Sequence, residues 1–123
     1  MAIERTLTMI KPDAVAAGNT GNILALLEKA GFRIVGLKKL KLTRELAEQF
    51  YAVHRERPFF GDLVKFMTEG PIVAACLERE DAVAELRRVM GATDSRKADA
   101  GTVRNLFGTD IERNAIHGSD SPE

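Results

Sequence analysis

Of the two histidines in the chain, His117 sits in a segment with the makings of a nucleophile: Asn114-Ala115-Ile116-His117-Gly118-Ser119-Asp120. A neutral imidazole nitrogen attacks competently near neutral pH, because much of it is unprotonated there. Gly118 lets the backbone bend sharply or approach a ligand closely. The chain then runs into Asp120-Ser121-Pro122-Glu123, which reads as a helix start, with Asp or Ser to cap and with Pro and Glu in the first turn. Backbone N–H groups at such a start can hold an anion. Standing alone, a histidine is more commonly structural than nucleophilic. His54, in Val53-His54-Arg55-Glu56-Arg57, has neighbours of mixed charge and reads as structural.

Three cationic positions bear comparison with it. Lys11 closes a strand at Lys11-Pro12-Asp13, Arg87 adjoins Arg88 on a helix, and Arg104 lies in Gly101-Thr102-Val103-Arg104. Each alone is an ordinary surface charge. If they converge they form a phosphate clamp, in which Arg supplies forked donors and Lys a point charge. Other phosphate-binding devices are absent: there is no P-loop, no kinase glycine-rich loop and no dinucleotide fingerprint. Gly18-Asn19-Thr20-Gly21 reads as a turn. No spacing of His, Asp and Glu suggests a protein-built metal cage, so Mg²⁺ would arrive carried by nucleotide phosphates.

The composition bounds the partners. The 123 residues suit one domain with a core of its own. Lys plus Arg and Asp plus Glu are balanced at 18 each, so nucleic acid is disfavoured as the main partner and any anion site must be local. Cys76 is the lone cysteine, in the apolar run Ile72-Val73-Ala74-Ala75-Cys76-Leu77. It reads as a buried small hydrophobe, and a disulfide framework is excluded. No signal-peptide core or membrane span is seen, which makes the cytoplasm the expected address.

The elements that must position these residues follow from periodicity. Thr6 to Ile10 alternates as a strand and stops at the Pro turn. Ile23, Leu24, Leu26, Leu27 and Ala30 have helical spacing, ended by Gly31. Phe32 to Leu42 reads as a long strand, Thr43 as a cap for a helix carrying Leu46 and Phe50, and Phe59 to Met67 as a second short helix. Ile72 to Leu77 is a buried strand. Asp81 is expected to cap a helix with apolar Val83, Leu86, Val89 and Met90, stopped by Gly91. From Ala92 to Gly108 the pattern weakens, as in an active-site segment or loop. Ile111 and Ala115-Ile116 are the last residues able to form a strand. With one additional helical pair this is the ferredoxin-like βαββαβ sandwich, an α+β fold with a four-stranded antiparallel sheet and helices on one face. One domain, 1–123, is expected. Its closing helix signal has no body after it, which reads as truncation at the C-terminus.

Taken in order, these blocks resemble the nucleoside diphosphate kinase family. The match runs through Glu4-Arg5-Thr6-Leu7, Ile10-Lys11-Pro12-Asp13-Ala14-Val15, Phe50-Tyr51, His54-Arg55-Glu56-Arg57-Pro58-Phe59-Phe60, Met67-Thr68-Glu69-Gly70-Pro71, Gly91-Ala92-Thr93-Asp94, Gly101-Thr102-Val103-Arg104 and Asn114 through Ser121. The resemblance implies a ping-pong phosphotransferase. A nucleoside triphosphate (ATP, GTP or another) gives its γ-phosphate to His117, and the phosphohistidine gives it to a nucleoside diphosphate. It implies that Lys11, Arg87, Thr93 and Arg104 contact phosphates, Asn114 the ribose hydroxyls and Phe59 the base, with Leu63 and Ile111 lining the same slot. Tyr51 would orient the region around His117, and Gly118 would let the phosphate come close. Stacking on a π-face implies broad base specificity. Mg²⁺, and assembly from dimers into a tetramer or hexamer, are implied too.

Two departures from the family pattern stand out. Ser95 and Ala100 replace prolines, a loss worth on the order of half to one kcal/mol each through the unfolded chain. The family also continues with a helix, whose Glu bonds the catalytic His, and with a tail that takes part in subunit contacts. Their absence frames the alternative reading, a catalytically impaired nucleotide-binding module. A nucleic-acid-binding ferredoxin-like domain is disfavoured by the zero net charge and by the lack of an aromatic RNA-binding strand.

Overall fold

The computed structural model describes residues 3–50, 56, 58, 60–109 and 115–118. In chain order these form β1 (Ile3–Ile10), α1 (Pro12–Ala16), α2 (Thr20–Lys29), β2 (Arg33–Leu40), α3 (Arg44–Phe50), α4 (Phe60–Met67), β3 (Ile72–Glu80), α5 (Ala82–Met90), a 3₁₀ turn (Ser95–Lys97), α6 (Val103–Phe107) and β4 (Ile116–Gly118). The strands make one sheet in the order β2-β3-β1-β4, antiparallel at every pairing. This is the ferredoxin-like arrangement expected from the sequence.

Alternation divides β1 between two cores. Ile10, opposite Val73, belongs to the cluster built with Ile23 and Leu27 of α2, Leu86 and Met90 of α5, Val103 of α6, and Ile116. Met9, opposite Ala74, belongs to the other cluster, with Ile72 and with Phe66 and Met67 of α4. Period-two geometry puts neighbouring β1 residues on opposite faces. The expectation of helices on one face is therefore corrected, because α4 covers the second face. α5 shows why it sits where it does: Ala82, Leu86, Val89 and Met90 are its buried residues and fall on one helical stripe.

Local chemistry explains the other differences. Lys11-Pro12-Asp13 does not simply end β1; Pro12 takes the first position of α1, where its missing N–H is no loss. Thr43 caps α3 as expected, its Oγ1 accepting from the Leu46 N–H at 3.1 Å. Asp81 does not cap α5 with its side chain. It lies in the left-handed region at φ 52° and makes no capping bond. Glu4 of β1 does that work, its Oε1 accepting from the Val83 N–H at 3.3 Å. The weak stretch after Gly91 contains the 3₁₀ turn, capped by Asp94, and α6, capped by Thr102.

Candidate active site

β4 has three residues, too few to hold a position by ladder bonds alone, and side chains from three other elements anchor it. It pairs with β1 so that Thr8, Met9 and Ile10 face Gly118, His117 and Ile116. The Lys11 N–H extends the ladder to the Ala115 carbonyl at 2.8 Å. The Thr8 hydroxyl, fully buried, donates to the His117 carbonyl at 2.7 Å. The Ala115 N–H donates to Asp13 Oδ2 at 3.2 Å. Arg104, on α6, donates through Nη2 to the Ile116 carbonyl at 2.8 Å and through Nη1 to the Gly91 carbonyl at 3.1 Å. Its guanidinium thus joins the end of α5 to the residue before the histidine.

Opposite Met9, His117 shares that residue's face of the sheet, half-buried. Gly118, opposite Thr8, lies on the other face, and a Cβ there would stand 2.9 Å from Leu86 Cδ2 and from Met90 Sδ. The absence of a side chain at Gly118 thus answers to close packing of α5 on β4. Gly91 serves a similar purpose. It ends α5 at φ 89°, and a Cβ would meet Thr102 Oγ1 at 2.5 Å, so glycine keeps the α6 cap close to the end of α5.

The electrostatics favour an anion. Lys11 and Arg104 are each 7% exposed. Among the described residues, Arg104 bonds to carbonyls and not to carboxylates, and its Nε is buried without a partner. Burial lowers its pKa from the ordinary value, but a guanidinium stays protonated regardless. Among the described residues no acid pairs with this cation, which suits a phosphate. Asp13 shows the opposite shift: burial raises its carboxyl pKa, against the bond from Ala115.

Four expected site residues, Lys11, Arg104, His117 and Gly118, lie in the segments joined here through the Lys11 N–H, the Arg104 guanidinium and the β4 backbone. Arg87 is exposed in the last turn of α5, and its carbonyl accepts from the Gly91 N–H at 3.1 Å. Thr93 is exposed two residues beyond Gly91. Leu63 is half-buried on α4, packed against the cluster of Met9, Phe66, Met67 and Ile72. Tyr51, Phe59, Ile111 and Asn114 lie outside the described residues, as do His54 and the helix start at residues 120–123. Sequence reasoning misses Thr8 and Asp13. Thr8 gives no signal, being one more strand residue, whereas Asp13 stands in a recognisable Pro turn. Among the described residues no group of three or more His, Cys, Asp and Glu could hold a metal ion.

Residues 4–123 match the family model described as nucleoside diphosphate kinase. The chain belongs to that family. It is 58% identical to the nucleoside diphosphate kinase of Bradyrhizobium diazoefficiens over 123 residues, covering 100% of this chain and 88% of the relative. With that of Geobacter sp. (strain M21) it shares 55% identity over 121 residues, 98% of this chain and 88% of the other. The crystal structure of the Aquifex aeolicus nucleoside diphosphate kinase is similar with a TM-score of 0.95 at 52% identity, over 98% of this chain and 88% of that one. A halophilic nucleoside diphosphate kinase from Halobacterium salinarum, solved in complex with CDP, is similar with a TM-score of 0.93 at 45% identity, over 97% and 78%. As a nucleoside diphosphate kinase the chain is a nucleotide-binding phosphotransferase. No helix among the described residues is long and apolar enough to cross a membrane.

Proposed function

We propose that this kinase moves the γ-phosphate of an Mg²⁺-bound nucleoside triphosphate to a nucleoside diphosphate through a phosphohistidine on His117. The observation that carries the reading is the buried Arg104 guanidinium, bonded to the carbonyl one residue before the histidine and lacking an acid partner among the described residues. The lone pair of a neutral imidazole nitrogen forms the N–P bond, the bond from phosphorus to the bridging oxygen breaks, and the electron pair leaves on the β-phosphate of the diphosphate. A second diphosphate, bound in the place of the first, reverses these events. Phosphoryl transfer of this kind depends mainly on alignment and charge neutralisation. Lys11, Arg87, Thr93 and Arg104 supply the phosphate contacts, and Mg²⁺ carried by the nucleotide would add charge neutralisation. Asn114 holds the ribose hydroxyls, Phe59 stacks on the base beside Leu63 and Ile111, and Tyr51 orients the region around His117. Acceptance of both purines and pyrimidines follows from stacking, and the Halobacterium relative's complex with CDP supports the pyrimidine side. The enzyme works in the cytoplasm as a tetramer or hexamer assembled from dimers.

The test is incubation with γ-labelled ATP and Mg²⁺. The expected result is acid-labile, alkali-stable label that passes to added GDP or CDP, and parallel lines in double-reciprocal plots. His117→Ala should carry no label; label retained by that variant refutes the assignment.

A further inference from the structure

We propose that Asp13 is a positioning residue of this site: its carboxylate holds Ala115 in the left-handed conformation that fixes where His117 stands. The proposal rests on His117 as the phosphate acceptor and adds the device that sets its backbone. Ala115 has φ 73° and is fully buried. A side chain other than glycine is crowded in that region, and such a residue persists there only when its surroundings hold it. Both polar groups of Ala115 are held by one short segment. Its carbonyl accepts from the Lys11 N–H at 2.8 Å and its N–H donates to Asp13 Oδ2 at 3.2 Å. Pro12, between those two partners, has its φ locked by its ring, so the pair forms a stiff jaw. Two residues after Ala115 the chain reaches His117.

Asp13 does this at a cost. Among the described residues its other oxygen, Oδ1, is buried without a hydrogen-bond partner. A carboxylate with one orphaned oxygen is unfavourable inside a protein. Support of α1 alone does little to offset that, since the helix has five residues. The bond to Ala115 is the contact by which an acceptor at this position reaches the segment that carries His117.

The test follows single-turnover labelling of the full chain by MgATP in a rapid-quench instrument, with MgADP affinity measured separately by calorimetry. Asp13→Ala should slow labelling by about tenfold or more, because misplacement of a reacting group is felt in the rate, while leaving MgADP affinity nearly unchanged. Asp13→Asn, which keeps an oxygen acceptor, should recover most of the rate. Ala115→Gly placed in the Asp13→Ala background should also raise the rate, because glycine takes a positive φ without strain. A residue that only supported α1 would gain nothing from that second change. Should Asp13→Ala not fold, Asp13→Glu, with its oxygens displaced by a methylene, should show the same slowing. Wild-type labelling in Asp13→Ala or Asp13→Glu, or a loss in Asp13→Ala that Ala115→Gly does not reduce, overturns the proposal. An unlabelled wild-type chain, or label kept by His117→Ala, instead sinks the reading of His117 and takes this proposal with it.

Discussion

Arg104 shows how one side chain can be both structure and reagent. Its forked donors reach two carbonyls, on Gly91 and Ile116, that belong to different elements. A lysine keeps the charge but cannot bridge both carbonyls with a planar fork. Arg104→Lys should therefore cost about 1–3 kcal/mol, the range for a hydrogen bond to a charged group with its buried partner left unpaired, and it should slow labelling. Urea unfolding alongside the labelling rate checks both. Asp13 makes a prediction in pH. Its folded pKa lies above the ordinary carboxylate value because burial outweighs the Ala115 bond. The fold therefore favours the protonated form: the stabilising contribution is complete below the unfolded pKa and is lost as pH rises through the raised one. Once ionised, the group weighs against the fold. Asp13→Asn removes that dependence, so its stability relative to wild type should improve as pH rises from the ordinary carboxylate range through the raised folded pKa. Thermal unfolding across that range tests it, and a constant difference would count against the burial argument. Of the residues in the segments joined here, Lys11, Arg104, His117 and Gly118 are legible because they stand in ordered motifs. The conformation of Ala115 is not, since alanine carries none of the preference for positive φ that marks glycine or asparagine.

Gly118 and Ser95 act on how elements meet. At Gly118 the space a side chain would take is filled by Leu86 and Met90, at 2.9 Å. Gly118→Ala should destabilise the protein by about 1–3 kcal/mol through overpacking, seen as a lower midpoint in urea unfolding. Ser95 opens the 3₁₀ turn behind an extended Asp94 (φ −80°, ψ 110°), and among the described residues its buried hydroxyl has no partner. An extended preceding residue is what a proline requires. Ser95→Pro should thus stabilise by about 0.4–1 kcal/mol, seen as a higher midpoint in thermal unfolding. At this scale the sequence reads well where one face is buried. α2, α4, β3 and α5 are visible because their apolar residues repeat with helical or strand period. The capping of α5 is not, because its partner, Glu4, lies on β1, 79 residues away in sequence, and no local pattern reports such a contact. The placement of α4 on the second face is hidden for a related reason: strand alternation shows that β1 has two faces but not which helix covers each.

At the scale of the molecule the sheet has two edges with different characters. β4 is short and lies beside the site, whereas β2 has eight residues. The row Arg5, Glu78 and Arg33 ties β1, β3 and β2 together, Glu78 pairing with Arg5 at 2.8 Å and with Arg33. Those arginines also hold the Glu78 carboxyl below its ordinary pKa, so this tie is complete above the unfolded carboxylate range and fades as pH falls below it. Beyond that row, β2 leaves Val35 46% and Leu37 56% exposed, on a strand whose outer hydrogen-bonding groups face away from β3. An edge strand with exposed apolar side chains is a template for another chain, and soluble proteins seldom leave one uncovered. Lys38 and Lys39 are exposed beside these residues and limit promiscuous pairing without removing the apolar contact. If the kinase assembles from dimers, this edge is the surface that assembly should bury. Leu37→Glu places a like charge on each copy across any self-complementary contact, so light scattering should show a smaller particle than wild type at equal concentration. The change lies away from the Lys11–Arg104–His117 junction, and the single-turnover labelling rate should be retained at concentrations where the variant has dissociated. An unchanged particle mass would exclude β2 from the interface; a smaller particle that no longer labels would mean that the site depends on assembly.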